Sequence, residues 1–188
     1  MSGSINKKSK LTLQDMTKIA VCAALLCVSA FLIIPVPFLS VPFTLQVLSV
    51  ILVALILKPA HSILAALIYT LLGIVGLPVF SGGKGGFGVI LSPTGGFIIG
   101  FVIAAFFVSL AKGKSGSLPR FIISSILIGI PCIYIPGIAM YMAYTSADLL
   151  TAVTALTSVF ILVDIVKCVI ASFLAVLLRT ALSKANLS

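Results

Sequence analysis

Apolar residues run through this chain in long, nearly continuous stretches, and the polar positions fall in short clusters between them. Ile19–Leu57 carries no charged residue. At about 20 residues per crossing it has room for two membrane spans. Pro35, Pro37 and Pro42 divide it, because proline is poorly tolerated inside a helix. The first span is expected over Leu13–Ile34 and the second over Phe43–Leu57. The second is short for a hydrocarbon core of ~30 Å. Lys58-Pro59 makes a turn, and a third span follows over Ala60–Val75, stopped by Gly76-Leu77-Pro78. After a glycine-rich segment, Ser81–Gly88, a fourth span covers Pro93–Leu110 and the basic stretch Lys112–Arg120 closes it. The fifth starts near Pro119 and bends around Pro131 and Pro136-Gly137. Thr145, Ser146 and Asp148 mark a polar turn with N-cap candidates. The sixth runs over Leu149–Ala181, longer than one crossing, so its first part is expected outside the bilayer or along the interface.

Composition fits this pattern. Hydrophobic residues make up 61% of the 188 and charged residues 8%, against about 25% charged in a soluble domain. Glu is absent, and the acidic residues are Asp15, Asp148 and Asp164. Too little polar surface is present to cover a soluble fold. A cytosolic enzyme, a disulfide scaffold and a disordered chain are excluded, and an all-α integral membrane protein remains. Six spans place both termini on one side. Lys7, Lys8, Lys10, Lys18, Lys58, Lys112, Lys114, Arg120, Arg179 and Lys184 then share that side, with Lys84 alone opposite and Lys167 inside the sixth span. That asymmetry makes both termini cytoplasmic. A signal peptide over residues 7–34 is the competing reading, but the charge pattern needs the first span in place. The expected organisation is a cytoplasmic basic tail over 1–14 and one six-helix transmembrane domain over 15–188. The net charge of +9 serves topology and attraction to anionic lipid, not nucleic acid.

Few groups could carry chemistry. Asp164 and Lys167 interrupt an apolar run at a spacing that puts them on one helix face. At membrane depth they must face the protein interior or a wet cavity. They offer an acceptor and a cationic donor to a small solute, or they form an internal clamp. In the loop Gly76–Gly88 glycines such as Gly85 and Gly86 let the backbone approach a ligand, and Phe80 and Phe87 are expected to fold over the outer mouth of a pocket. Lys84 is followed by Gly, so the segment lacks the order of a phosphate loop. Thr44 and Gln46 open the short second span, and an incomplete span flanked by proline points to a transporter site. Thr44 as a helix cap is the simpler alternative. Ala20 and Ala24, extended by Ala23, form a small-residue face on the first span, and Gly96 and Gly100 another on the fourth. Cys22, Cys27, Cys132 and Cys168 sit in apolar runs and suggest neither metal nor disulfide. His61, beside the turn at Lys58, reads as a solvated or capping residue. Without a base and an orienting partner in reach, no catalytic residue is expected.

The segments VPFTLQVLSVILVALIL (41–57), LIYTLLGIVGLPVFSGGKGG (67–86), LSPTGGFIIGF (91–101) and DIVK (164–167) together resemble the BioY family, the biotin-specific substrate-binding (S) subunits of energy-coupling factor (ECF) transporters. The resemblance covers residues 15–180. It implies a six-helix S-component bundle in the bacterial cytoplasmic membrane, multi-pass, with a biotin site near the outer face and no cofactor. It also implies a first helix whose Ala20 and Ala24 dock on a transmembrane coupling subunit, with two ATPase subunits energising uptake. The family's ligand-binding Asp and Lys map onto Asp164 and Lys167, and a loop residue that is often Asn falls at Lys84. Two departures stand out. Leu162-Val163 replaces Pro-Gly before the Asp, which suggests a less broken sixth helix. Ile98 stands where some members carry Arg, which leaves Lys84 to compensate. On this reading Asp164 accepts from a ureido N–H of biotin. Lys84 or Lys167 pairs with the carboxylate, and Phe80, Phe87 and Tyr69 supply apolar contact. A stand-alone proton-coupled vitamin carrier using Asp164 and Lys167 is the alternative. A small membrane enzyme and a purely structural subunit are more distant ones.

Overall fold

The shortest membrane-type helix sits at the centre of the molecule. In this computed structural model, which describes residues 11–34, 43–113, 116–158 and 160–185, α2 (Gln46–Ile56) is buried over nearly its whole circumference. A helix apolar all round is stable only where it is covered all round, and α1 (Leu13–Ser29), α3 (Pro59–Ile74), α5 (Gly95–Ala111) and α9 (Phe160–Lys184) pack around it. The rest of the chain adds β1 (Ile33–Ile34), β2 (Phe43–Thr44), the single turn α4 (Phe87–Ile90), α6 (Leu118–Ser124), α7 (Ile130–Thr145) and α8 (Leu149–Thr157).

Several expected boundaries move. The first helix stops at Ser29 rather than Ile34, because Ile33 pairs with Thr44 and Ile34 with Phe43 in a short antiparallel ladder. That ladder takes Phe43 and Thr44 out of the second helix and holds Thr44 at the mouth of α2. The prolines between the strands, Pro35, Pro37 and Pro42, lie outside the described residues, as do residues 1–10 of the basic tail and Lys114.

The fifth predicted span is one helical run over Leu118–Thr145, and its irregularity precedes Pro131. Residues Ser125–Gly129 form a π turn between α6 and α7. Proline at 131 withholds its donor from the carbonyl four residues earlier and crowds it, and the wider turn absorbs both effects. Pro136 lies inside α7. The sixth span is two helices, α8 and α9; with Leu162-Val163 in place of Pro-Gly, α9 is unbroken through the positions before Asp164, and the division falls upstream, after Thr157. Asp148 caps α8 by accepting from Thr151 N, and Thr151 holds its carboxyl below the usual carboxylate range. The Thr154 and Thr157 hydroxyls donate back to Leu150 and Val153 carbonyls. Such back-bonding weakens a helix end without any Gly or Pro to announce it. Nor does α8 stand apart from the bundle: Leu156 reaches the wall of its main cavity.

The burial pattern on α9 is inverted relative to a helix of a soluble protein. On α9 the buried positions are Asp164, Lys167, Cys168, Ala171, Ser172 and Ala175. Leu162, Val166, Phe173 and Leu177 are exposed. Charge and small residues face inward and large apolar side chains face out, the arrangement a hydrocarbon solvent selects. Two helical runs, Leu118–Thr145 and Phe160–Lys184, are long and apolar enough to cross a membrane, and α2, α3 and α5 are shorter apolar helices. α5 packs extensively on α7. A Cβ on Gly96 would overlap the Pro136 carbonyl, and one on Gly100 would press on Ile133 and Cys132 backbone. These two glycines serve packing within the bundle.

Candidate functional site

One end of the bundle encloses a cavity of about 160 Å³. It is lined by the opening of α2, the loop before α4, the first turns of α5, and α7, α8 and α9. Its polar centre is Asp164, 4% exposed, and Lys167, 8% exposed. They are one helical turn apart, so both face the cavity. Lys167 Nζ lies 2.8 Å from Asp164 Oδ1, and Tyr134 Oη donates to Asp164 Oδ2 at 2.7 Å. A buried ion costs several kcal/mol unless paired, and here each carboxylate oxygen has one partner. A carboxylate has about four acceptor sites, so Asp164 keeps acceptor capacity toward the cavity.

A second polar string opens α2. Thr44 Oγ1 donates to Gln46 Oε1 at 3.2 Å and accepts from Gln46 N at 3.4 Å. Gln46 Nε2 donates to Tyr69 Oη at 2.5 Å. Thr44 and Gln46 line the cavity, whereas Tyr69 stands behind them, edge-on to the Phe80 ring at 5.7 Å between centroids. Tyr69 thus positions Gln46 and Phe80 and does not form wall.

The loop before α4 supplies the mouth. Phe80 N donates to Lys84 O at 2.9 Å and Lys84 N to Phe80 O at 3.3 Å. The tight turn between them needs positive φ at Gly82 (80°) and Gly83 (68°), a conformation glycine adopts without strain. The turn buries Phe80 against Gly73, where a Cβ would overlap the ring. It also leaves Ser81, Gly82 and Lys84 on the cavity wall. Ser81 Oγ is buried with no hydrogen-bond partner among the described residues. Phe87 is 58% exposed and, like Gly85 and Gly86, is not on the wall. The expectation that Phe87 folds over the pocket is therefore corrected. Gly86 N bonds Gly73 O at 2.7 Å, and Gly85 packs on the Gly76 and Leu77 carbonyls. These two glycines let the loop lie down on the end of α3.

Ile98 and Lys84 both line the cavity. The sequence reading missed Tyr134, Ser81 and the apolar wall of Phe97, Phe101 and Phe160. A phenol deep in an apolar span usually has a partner for its hydroxyl, but nothing in the sequence separates Tyr134 from the other tyrosines as the partner of Asp164. The Tyr134 ring is also edge-on to Phe97 at 6.0 Å. Far from this cavity, Ala20 and Ala24 lie on the exposed face of α1, while Ala23 is buried in the bundle. The small-residue face is therefore divided, with Ala23 packed inside the bundle and Ala20 and Ala24 facing outward.

The model of the BioY family matches residues 5–184. This chain belongs to the BioY family. A biotin transporter from Lactococcus lactis subsp. cremoris is 36% identical over 176 residues, covering 93% of this chain and 94% of the relative. The biotin transporter BioY of Thermotoga maritima is 35% identical over 167 residues, with 89% and 96% covered. The fold matches the crystal structure of the S-component for biotin from an ECF-type ABC transporter, with a TM-score of 0.79, 24% identity and 95% of each chain covered. BioY relatives are transporters, and the chain is accordingly not an enzyme.

Tyr134→Phe tests the network without emptying the cavity. Removing one hydrogen bond to a charged acceptor costs about 1.5–3 kcal/mol where nothing replaces it. With Asp164 still held by Lys167, the low end applies, and ligand affinity is expected to fall roughly tenfold. Isothermal titration against the parent protein measures it, and an unchanged affinity would mean that Tyr134 does not orient Asp164 for the ligand.

Proposed function

We propose that this chain is a biotin-capturing S subunit that works with an ECF module to import the vitamin. The observation that carries the reading is the Asp164–Lys167 pair, held by Tyr134 in an otherwise apolar cavity. Biotin has two ureido N–H groups, a ureido carbonyl, an apolar bicycle and a carboxylate tail. Asp164 accepts from a ureido N–H and Lys167 faces the ureido carbonyl. Phe80, Phe97 and Phe101 cover the bicycle, and the tail points to the mouth, where Lys84 and Ser81 Oγ receive the carboxylate. Thr44 and Gln46 close the wall opposite. Few polar anchors in an apolar cavity is the usual design for small ligands.

Around this site the chain forms six spans: α1, α2, α3, α5, the run from α6 through α7, and α9. Both termini are cytoplasmic, the biotin cavity lies near the outer face, and the protein is a multi-pass component of the bacterial cytoplasmic membrane. The basic end of the bundle, away from the cavity, supports that orientation. Energy comes from two ATPase subunits acting through a transmembrane coupling subunit. Titration of the purified protein with biotin and with a panel of other vitamins tests the substrate. Biotin is expected to bind alone and one to one; tighter binding of another vitamin, or no binding of biotin, defeats the reading.

A further inference from the structure

The opposite end of the bundle holds a second, larger cavity of about 810 Å³. Five helix ends meet there: the start of α1, the end of α2, the start of α3, the end of α5 and the last turns of α9. Lys18, Lys58, Lys112 and Arg179 line it, against one carboxylate, Asp15. That carboxylate is already engaged, by Thr12 at 2.7 Å and by His61 Nδ1 at 3.7 Å. Among the described residues no carboxylate lies within ion-pair distance of Lys18, Lys58 or Arg179.

Two of the cations are placed with care. Lys112, 5% exposed, was expected as an edge charge that fixes topology. Instead its Nζ donates to the carbonyls of Ala54 and Leu57, capping the end of α2, where Ser109 Oγ also donates to Leu57 O at 2.6 Å. Arg179 lies with its guanidinium over the Phe121 ring at 5.3 Å, and its Nη1 is buried with no hydrogen-bond partner among the described residues. A buried, charged N–H with nothing to donate to is costly and calls for an acceptor. The start of α3 adds positive potential, with Pro59 in its first turn and no side-chain cap at Lys58.

We infer that this cavity binds a phosphate group, supplied by the headgroup of an anionic phospholipid. Arg179 Nη1 donates to a phosphate oxygen, and Lys18 and Lys58 neutralise the charge. A basic pocket between membrane helices is the arrangement that selects such headgroups. The wall also has an apolar part: Leu110 and Leu182 line it, and Leu110 is exposed.

The test uses the full chain in detergent with equal phosphatidylglycerol and phosphatidylcholine, counting retained lipid by native mass spectrometry. One phosphatidylglycerol is expected to be retained at least tenfold over phosphatidylcholine. Arg179→Gln and Lys58→Gln each remove the preference, and Lys184→Gln, outside the cavity, keeps it. Lys58 is exposed, so its variant reports on binding even if Arg179→Gln unfolds, which thermal denaturation checks. Equal retention of the two lipids, or equal loss in Lys184→Gln, overturns the site. Inorganic phosphate titrated alone separates the sources: if it binds in an Arg179-dependent way and phosphatidylglycerol does not, the lipid occupant is overturned.

Discussion

Asp164→Asn is expected to weaken biotin binding by roughly 10²–10³-fold while leaving the cavity's shape intact. The loss has two parts. A hydrogen bond from ligand to a charged acceptor is worth about 1.5–3 kcal/mol, and the neutral amide returns only part of it. Lys167, 8% exposed, also loses the partner that neutralises it at 2.8 Å, and it then competes for the ligand's acceptors in the wrong geometry. Together these remove about 3–4 kcal/mol of binding, at ~1.4 kcal/mol per decade. The substitution also strains the empty protein, because breaking a buried pair by deleting one partner costs about 3–5 kcal/mol. A lower thermal midpoint therefore accompanies it, and stability must be separated from recognition. The double variant Asp164→Asn with Lys167→Gln does this. Replacing both ends of a buried pair is far cheaper than removing one, so its thermal midpoint is expected to recover toward the parent. Biotin binding is not expected to recover. If binding returned with stability, the pair would be an internal clamp and the site would lie elsewhere. If both single variants, Asp164→Asn and Lys167→Gln, bound biotin like the parent, the assignment would fail outright.

This pair was legible in the sequence because cost makes it conspicuous. Two charges in an apolar run have to be buried together or face a cavity, and i, i+3 spacing puts them on one face whatever the helix ends do. Thr44 and Gln46 were legible for a related reason, since a span too short to cross must open onto something. What the sequence did not show depends on three-dimensional partners. Tyr134 is far from Asp164 in the chain and identical in type to the exposed Tyr144. α5 packs against α7 through Gly96 and Gly100, and α7 carries the Tyr134 hydroxyl to Asp164 on α9. The break before α9 has no proline or glycine to announce it, only threonine hydroxyls turned back on their own helix. Phe87 carries the same glycine-rich context as Phe80, but the turn at Gly82 and Gly83 directs one ring inward and leaves the other outside. Lys112 followed the charge rule for basic edges, yet its side chain is long enough to reach back and cap α2. Charge pattern reports which side a residue belongs to, not what its head group touches.

Leucine at Ala20 or Ala24 is expected to spare biotin binding and to reduce ATP-driven uptake by more than tenfold. Both alanines lie on the exposed face of α1, so a longer side chain meets no atom of this chain. The cavity around Asp164 and Lys167 is lined by no residue of α1, so biotin bound there has no route by which its affinity changes. Small residues at this spacing let another helix approach closely in lipid, where close packing and not the hydrophobic effect drives association. A leucine on that face holds the partner's backbone away and forfeits dispersion contacts along the whole crossing. Ala23→Leu is the internal control, because Ala23 is 3% exposed and faces the core. Overpacking there costs about 1–3 kcal/mol, so it should lower the thermal midpoint, an effect the two outward variants lack. Uptake measured with the coupling and ATPase subunits co-expressed, beside titration of the isolated chain, reads both effects. Normal uptake in Ala20→Leu and Ala24→Leu would remove this face of α1 from the docking surface. Lost binding with intact assembly would place the alanines in the ligand's path, contrary to the exposed position of their helix face.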